Sequence, residues 1–100
     1  MAFYVYILYS QSIDTFYRGQ TNNIENRLKR HNKGLEKATV KGIPWLLLWY
    51  SSKETRKEAL VLEKKLKNLN RKRLIRFIKK YKENIAGPDA LIFINQWSGC

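Results

Sequence analysis

The hydrophobic pattern of the chain begins with a run of aromatic and β-branched residues from Phe3 to Tyr9. Such side chains are typical of a strand. The segment Ser10–Thr15 is polar and turn-like, and Phe16–Gly19 has the composition of a second, short strand. The pattern therefore predicts a β-hairpin at the start of the chain.

A helical segment is expected next, from about Asn23 to Asn32. Asn22 is followed three residues later by Glu25, which resembles a capping box in which Asn replaces Ser or Thr. Gly34 then predicts the end of the helix, because glycine readily adopts the conformation that closes a helix C-terminus.

The second half of the chain predicts one further strand and two helices. Trp45–Tyr50 is a short apolar run bounded by turn residues, which indicates a buried strand. Ser51 with Glu54 gives a second capping signal, so a helix is expected from about Lys53 to Leu69. A third helix is expected at roughly residues 71–82, where apolar residues recur at helical spacing.

The predicted element order is β-β-α-β-α-α. It indicates an α+β domain with a small three-stranded antiparallel sheet flanked by helices. A chain of 100 residues has room for a single core. We assign residues 1–82 to this domain and residues 83–100 to a C-terminal tail, whose apolar run Ala90–Ile94 is compatible with an added strand, an interface or disorder.

The charge of the chain is strongly positive and unevenly distributed. Twenty Lys and Arg residues oppose eight Asp and Glu residues, a net charge of +12. Half of the basic residues lie between positions 64 and 82, with no acid among them: Lys64, Lys65, Lys67, Arg71, Lys72, Arg73, Arg76, Lys79, Lys80 and Lys82. Such a field attracts polyanions, so nucleic acid is the first candidate partner. The alternative is that these residues only keep the protein soluble.

Other features of the composition exclude several classes of protein. The longest apolar stretch, Trp45–Trp49, is far shorter than the ~20 residues that a membrane span needs. The first residues lack the pattern of a signal peptide, so we expect no membrane association and a cytoplasmic location. One cysteine, Cys100, and one histidine, His31, leave no disulfide framework and no four-ligand zinc site.

Three polar residues lie on or beside the apolar faces of the predicted helices. Arg27 and His31 lie four residues apart and so point the same way from their helix, beside its apolar face. Arg27 would bind an anion there, or form an edge ion pair with Glu58 or Glu63. Glu63 lies on the inner face of its own helix, either as a metal ligand or acid–base group or as the partner of a nearby Arg.

Tyr6 and Tyr17 lie on the two predicted hairpin strands, where tyrosines usually serve packing. They belong, however, to an ordered set of segments that spans about residues 3–82. The set contains Val5-Tyr6-Ile7, Tyr17-Arg18-Gly19 within Phe16–Thr21, the helical segment Glu25–Asn32, Glu58–Leu60 and Glu63–Lys67. Taken together, these segments resemble the GIY-YIG endonuclease superfamily, and most closely its small stand-alone bacterial members.

The resemblance implies a metal-dependent phosphodiesterase and a role for each matching residue. Tyr6 would be the general base toward the attacking water, and Tyr17 would orient that water or assist the base. Arg27 would bind the scissile phosphate, and His31 would relay protons or hold the tyrosine. Glu63 would be the single protein ligand of one divalent ion, Mg²⁺ or Mn²⁺. A base role requires a tyrosine pKa below its usual value of ~10, and we expect Arg27, the ion and the net charge to lower it.

The resemblance also implies a substrate, which is DNA, and a surface that binds it. Gly19 would be structural and would let the chain turn away from the site. We expect branched or damaged duplexes, cut in repair or recombination, with specificity from the domain itself, from DNA shape or from a protein partner. The residues expected to hold the DNA backbone are Arg18, Arg30, Lys64, Lys65, Lys67, Arg71, Lys72 and Arg73.

Two other classes of function remain open from the sequence. One is a catalytically silent nucleic-acid-binding module of the same fold, which would need neither Glu63 nor a divalent ion. The other is a small ribosome-associated protein that binds structured RNA and is indifferent to substitution of Tyr6, Tyr17 or Arg27. The nuclease and the silent module both predict binding that weakens as ionic strength rises, whereas the ribosome-associated protein would prefer RNA.

Overall fold

The elements of the chain follow the order that its hydrophobic pattern predicts, with one helix added at the end. The computed structural model describes residues 2–97. Its strands and helices are β1 (Phe3–Ser10), β2 (Thr15–Thr21), α1 (Ile24–Asn32), β3 (Trp45–Lys53), α2 (Arg56–Lys67), α3 (Arg71–Lys80) and α4 (Pro88–Gln96). Two short 3₁₀ helices, Lys37–Gly42 and Lys82–Asn84, connect them. The predicted α+β class and three-stranded antiparallel sheet are confirmed.

The sheet places β1 in the middle, in the order β2-β1-β3, with both pairs antiparallel. Tyr6, which belongs to the site described below, pairs with Gly19 on β2 and with Tyr50 on β3. A central strand has neighbours on both sides and cover on both faces, which explains why β1 is rich in apolar residues. All six residues from Val5 to Ser10 are buried.

Alternate residues of β1 belong to two different hydrophobic clusters. Val5, Ile7 and Tyr9 pack with buried residues of α2, α3 and α4 in the main core. Tyr6 and Leu8 pack on the opposite face with Trp45, Tyr17 and apolar residues of α1. The period of two along a strand therefore sorts the residues of β1 between two layers.

Two helices begin later than the capping signals predicted. The N-cap of α1 is Asn23, whose side chain accepts from the amide of Asn26 at 3.0 Å. The N-cap of α2 is Thr55, which forms a reciprocal capping box with Glu58. The prediction of a start near Lys53 was wrong because β3 continues through Lys53, which pairs with Phe3 of β1.

The tail, for which the sequence left three possibilities open, contains the helix α4. Pro88 stands in its first turn, where its fixed φ and missing N–H are tolerated. Ala90 and Ile94 are buried in the main core, and the Trp97 ring contacts Tyr9 and Phe16. No helix within residues 2–97 is long and apolar enough to cross a membrane. Residues 98–100 of the predicted tail lie outside the described residues.

We predict that Ile94→Ala lowers the free energy of unfolding by about 2–5 kcal/mol, because it leaves a cavity in the core. Ile94 is 2% exposed, whereas Ile92 on the same helix is 58% exposed. The control Ile92→Ala should change stability by no more than about 0.5 kcal/mol. Urea denaturation of both variants measures the difference, and equal effects would contradict the docking of α4.

Candidate active site

A cleft of about 400 Å³ brings together four of the five residues predicted to be catalytic. Its walls come from β1, β2, α1 and α2. Tyr6, Tyr17, Arg27 and Glu63 line it, together with Phe3, Gly19, Gln20, Thr21, Asn22 and Arg56. Side chains 57 residues apart in the sequence therefore face one space. The fifth residue, His31, does not line the cleft.

His31 lies behind Tyr6, in the second hydrophobic layer. The Tyr6 hydroxyl is 3.0 Å from His31 Nε2, and the imidazole is 1% exposed. The rings of Tyr17 and His31 meet edge to face, with centroids 5.0 Å apart. His31 therefore contacts both tyrosines of the predicted site, and reaches the cleft only through them.

The second ring nitrogen of His31 has its own partner in the 3₁₀ helix Lys37–Gly42. Its Nδ1 lies 2.8 Å from the hydroxyl of Thr39, which is also buried. That hydroxyl is 3.3 Å from the backbone carbonyl of Glu36. The carbonyl of Thr39 accepts a hydrogen bond from Trp45 Nε1 at 2.7 Å.

Burial is the largest cause of the pKa shifts of Tyr6 and His31. It raises the pKa of Tyr6 far above the usual value of tyrosine, the nearby Tyr17 acting in the same direction, whereas Arg27 opposes the shift with a smaller effect. Arg27 thus acts in the expected direction, but burial outweighs it, and the pKa of Tyr6 in the unbound protein lies above its usual value. Burial also lowers the pKa of His31, so the imidazole is neutral at pH 7.

Gly19 provides the space that the Tyr6 hydroxyl occupies. A Cβ atom at position 19 would lie 2.7 Å from Tyr6 Oη and 3.0 Å from Tyr17 Cε2. Gly19 lies within β2, paired with Tyr6, so the chain does not turn away there as the family resemblance implied. The residue is needed instead because any side chain would displace the Tyr6 ring.

Glu63 enters the cleft from α2 and has two polar partners. Its Oε1 accepts from Gln20 Nε2 at 3.1 Å, and its Oε2 lies 3.2 Å from Lys67 Nζ. The side chain is 15% exposed. Across residues 2–97, no group of three or more His, Cys, Asp or Glu side chains is placed so that it could hold a metal ion. Glu63 is therefore a lone carboxylate in a cleft that otherwise contains amides, hydroxyls and guanidinium groups.

Arg27 faces the cleft from α1 and is only loosely paired. The nearest carboxylate is that of Glu36, with 3.9 Å between Arg27 Nε and Glu36 Oε1. The same oxygen binds Arg30 Nε at 2.9 Å, so Arg30 is the stronger partner. The partners considered from the sequence, Glu58 and Glu63, are not the ones that the structure shows.

Sequence reasoning missed three residues of this region. Arg56, the first residue of α2, lines the cleft, and Gln20 supports Glu63. Thr39 lies in a segment for which we predicted no element. Gln20 follows the Tyr17-Arg18-Gly19 motif directly, which was a usable signal. Nothing in the local sequence distinguished Arg56 or Thr39.

The predicted nucleic-acid-binding residues do not line the cleft, and several have internal partners. Arg18 Nη2 donates to the carbonyl of Leu69 at 2.8 Å, at the junction of α2 and α3. Arg71 forms an ion pair with Asp14 at 2.9 Å. Arg30 is bound to Glu36 and Lys67 to Glu63. The remaining four, Lys64, Lys65, Lys72 and Arg73, are exposed on α2 and α3.

Comparison with known proteins identifies relatives of nearly the whole domain. A family model described as the GIY-YIG catalytic domain matches residues 2–85. A UPF0213 protein of Pediococcus pentosaceus is 37% identical over 79 residues, covering 78% of this chain and 82% of the relative. A UPF0213 protein of Bacillus licheniformis is 40% identical over 76 residues, covering 75% and 77%. The solution NMR structure of a Bacillus halodurans UPF0213 protein aligns with a TM-score of 0.56 and 27% identity, covering 90% of this chain and 92% of that one.

The buried, neutral His31 predicts a dependence of stability on pH. Its pKa in the folded protein lies below the usual value of 6.5, so the unfolded chain binds more protons as the pH falls through 6.5. The free energy of unfolding should be independent of His31 above that pH and should decrease as the pH falls, until the folded pKa is passed.

Urea denaturation between about pH 8 and pH 5 measures this effect. His31 is the only histidine of the chain, so the variant His31→Gln removes all histidine titration. We expect wild type to lose more stability than the variant on acidification. Parallel curves for the two proteins would contradict the buried, neutral state of His31.

Proposed function

The chain belongs to the GIY-YIG catalytic-domain family, a family of nucleases, and we propose that it is a divalent-metal-dependent endonuclease that hydrolyses DNA phosphodiester bonds. The observation that carries the proposal is the single cleft lined by Tyr6, Tyr17, Arg27 and Glu63, with His31 bonded to Tyr6 behind it. Hydrolysis of a phosphodiester needs a deprotonated water, charge stabilisation on the phosphate and a stabilised leaving oxygen. The cleft offers residues for each need.

The proton of the attacking water leaves through Tyr6. With its raised pKa, the Tyr6 phenol is protonated at pH 7, so there is no phenolate to accept a proton directly. It can take a proton from water only while it gives its own to His31 Nε2, 3.0 Å away. The water oxygen then bonds to phosphorus, the bond to the leaving oxygen breaks, and solvent protonates that oxygen. Tyr17, next to both rings, helps to orient the water.

Two guanidinium groups on different helices line the cleft and supply positive charge to it. Arg27 comes from α1 and Arg56 from the first turn of α2. A guanidinium matches the oxygens of a phosphate with two parallel hydrogen bonds. The 3.9 Å separation from Glu36 leaves Arg27 free to form them. We assign the scissile phosphate to Arg27 and a neighbouring phosphate to Arg56.

Glu63 is the residue that would hold the divalent ion. Mg²⁺ is typically bound by one or two carboxylates, with water and substrate phosphate completing its shell, and a lone carboxylate at an open cleft fits that pattern. A bound ion would supply positive charge to the phosphate and the leaving oxygen. Gln20 and Lys67 hold Glu63 in place, and Lys67 would leave Oε2 when the ion binds. Mn²⁺ fits the same oxygen donors.

The exposed basic residues of α2 and α3 would hold the DNA backbone outside the cleft. Lys64, Lys65, Lys72 and Arg73 lie in the stretch that contains no acid. Contacts of this kind give affinity that depends on salt and carry no sequence information. We therefore propose recognition by DNA shape, with branched or damaged duplexes of repair as the substrates to test first.

We predict that Glu63→Gln abolishes Mg²⁺-dependent cleavage, a loss on the order of a hundredfold or more, while DNA binding at matched salt is retained. Labelled single-stranded, duplex, flapped and four-way DNA should be tested with Mg²⁺, with Mn²⁺ and with chelator. Glu25→Gln is the matched control, because Glu25 is exposed and, among residues 2–97, forms an ion pair only with Lys29.

Three outcomes of that experiment can be separated. Cleavage by wild type and Glu25→Gln, but not by Glu63→Gln, supports the proposal and ranks the substrates. Binding without cleavage by any protein, with either metal, would favour the silent nucleic-acid-binding module. Preference for structured RNA without cleavage would favour the ribosome-associated alternative.

We also predict that Arg27→Ala lowers kcat by about a hundredfold, since it removes a charge that stabilises the transition state. Arg30→Ala is the control on the same helix, because Arg30 also binds Glu36 but does not line the cleft. It should change kcat by less than about threefold, in keeping with the small energies of exposed ion pairs. Equal losses in both variants would show that the effect comes from the Glu36 cluster instead.

A further inference from the structure

We propose that Thr39 is a positioning residue that holds His31 in the tautomer with the proton on Nδ1, so that Nε2 is free to accept the proton of Tyr6. This inference rests on the proposed function, in which Tyr6 passes its proton to His31. It assigns a role to a residue outside the cleft, on a segment without a sequence motif. The observations that carry it are the three contacts of the buried chain Tyr6–His31–Thr39–Glu36.

The direction of these hydrogen bonds follows from counting protons, starting at the Glu36 carbonyl, which has no proton to donate. The backbone carbonyl of Glu36 can only accept, so the Thr39 hydroxyl donates to it. That hydroxyl has one proton, and its remaining lone pairs must therefore accept from His31 Nδ1, 2.8 Å away. With its proton on Nδ1, neutral His31 presents a bare Nε2, to which the Tyr6 hydroxyl donates at 3.0 Å.

The opposite tautomer allows two of these three hydrogen bonds instead of all three. A proton on Nε2 would point at the Tyr6 oxygen, and the Tyr6 hydroxyl would lose His31, the one acceptor that it has among residues 2–97. The Thr39 hydroxyl would turn its proton to Nδ1 and give up its bond to the Glu36 carbonyl, which would keep only the Thr39 amide as a donor. The first tautomer therefore forms one more hydrogen bond within this network and is favoured. It is also the only one that can accept a proton from Tyr6.

Thr39 is fixed on both sides, which a positioning residue requires. Its amide donates to the Glu36 carbonyl at 3.1 Å, and its carbonyl accepts from Trp45 Nε1 at 2.7 Å. Trp45 is in turn bonded to the side chain of Asn32, which follows His31 on α1. The same short network thus ties the 3₁₀ helix to β3 and to the end of α1.

The charges around His31 act on its protonation and do not select between its two neutral forms. Arg27 and Arg30 of α1 disfavour the imidazolium, and Glu36 favours it. The two tyrosine rings contact it from β1 and β2. Because both tautomers are neutral, the choice between them is left to the directional hydrogen bonds at Nε2 and Nδ1.

The test uses NMR and needs no substrate. The chain has one histidine, so long-range ¹H–¹⁵N correlation on histidine-labelled protein at pH 8 reads the tautomer without assignment. In wild type we expect a protonated Nδ1 and a bare Nε2. Thr39→Val keeps the shape and removes the hydroxyl, so we expect a mixture of tautomers or the reverse one. Thr39→Ser restores the hydroxyl and should restore the wild-type spectrum.

The same variants are then tested for cleavage. In Thr39→Val we expect kcat to fall by about tenfold to a hundredfold, because general acid–base transfer is impaired, with KM and DNA affinity unchanged. Thr39→Ser should recover most of the activity. A thermal melt of each variant shows whether it is folded.

Each outcome decides the proposal. A bare Nδ1 in wild type, or an unchanged tautomer in folded Thr39→Val, would overturn it. If Thr39→Val does not fold, the wild-type and Thr39→Ser spectra still decide between the tautomers. If the tautomer depends on Thr39 but no variant cleaves DNA, the proposed function fails while the role of Thr39 in holding His31 stands.

Discussion

The central position of β1 is the constraint on which the site depends. Both faces of this strand are covered, so its side chains are buried alternately in two layers. Tyr6 therefore enters the layer of α1 and meets His31, whereas Glu63 comes from α2, which packs on the other face. Residues from the two layers can face one space only around the outer strand, β2, where Gly19 leaves room for the Tyr6 hydroxyl.

The molecule separates a buried neutral network from an exposed basic surface. Tyr6, His31 and Thr39 are buried and uncharged, and each has a hydrogen-bond partner. The guanidinium groups of Arg27 and Arg56 lie at the cleft, and the Lys and Arg side chains of α2 and α3 are exposed. A polyanion that approaches the molecule would thus contact the exposed basic side chains before it reached the buried network of Tyr6, His31 and Thr39. Low polarity around the network strengthens its hydrogen bonds, and their direction matters correspondingly more.

The sequence predicted the element order because that order depends on local patterns, such as the strand composition of β1. The cleft residues were predicted from the resemblance to the GIY-YIG endonucleases, since helical spacing showed only that Arg27 and His31 point the same way. The features that the sequence could not decide depend on contacts between residues far apart in the chain. Ser51–Glu54 and Thr55–Glu58 carry similar capping signals, and only the pairing of Lys53 with Phe3 selects the second. The partner of Arg27 depended likewise on how residues 33–44 fold back on α1, and the apolar tail became a helix because the core had room for Ala90 and Ile94.

The raised pKa of Tyr6 changes what the phenol of Tyr6 and the buried imidazole of His31 can do separately. A phenol with a high pKa is a strong base once deprotonated, but almost none of it is deprotonated at pH 7. A buried imidazole is neutral and ready to accept a proton, but it has no access to water. Tyr6 and His31 are joined by one hydrogen bond, and in the proposed mechanism Tyr6 would contact the water and His31 would take up the proton. Burial, which alone would weaken Tyr6 as a base, is therefore what keeps its acceptor neutral and aligned.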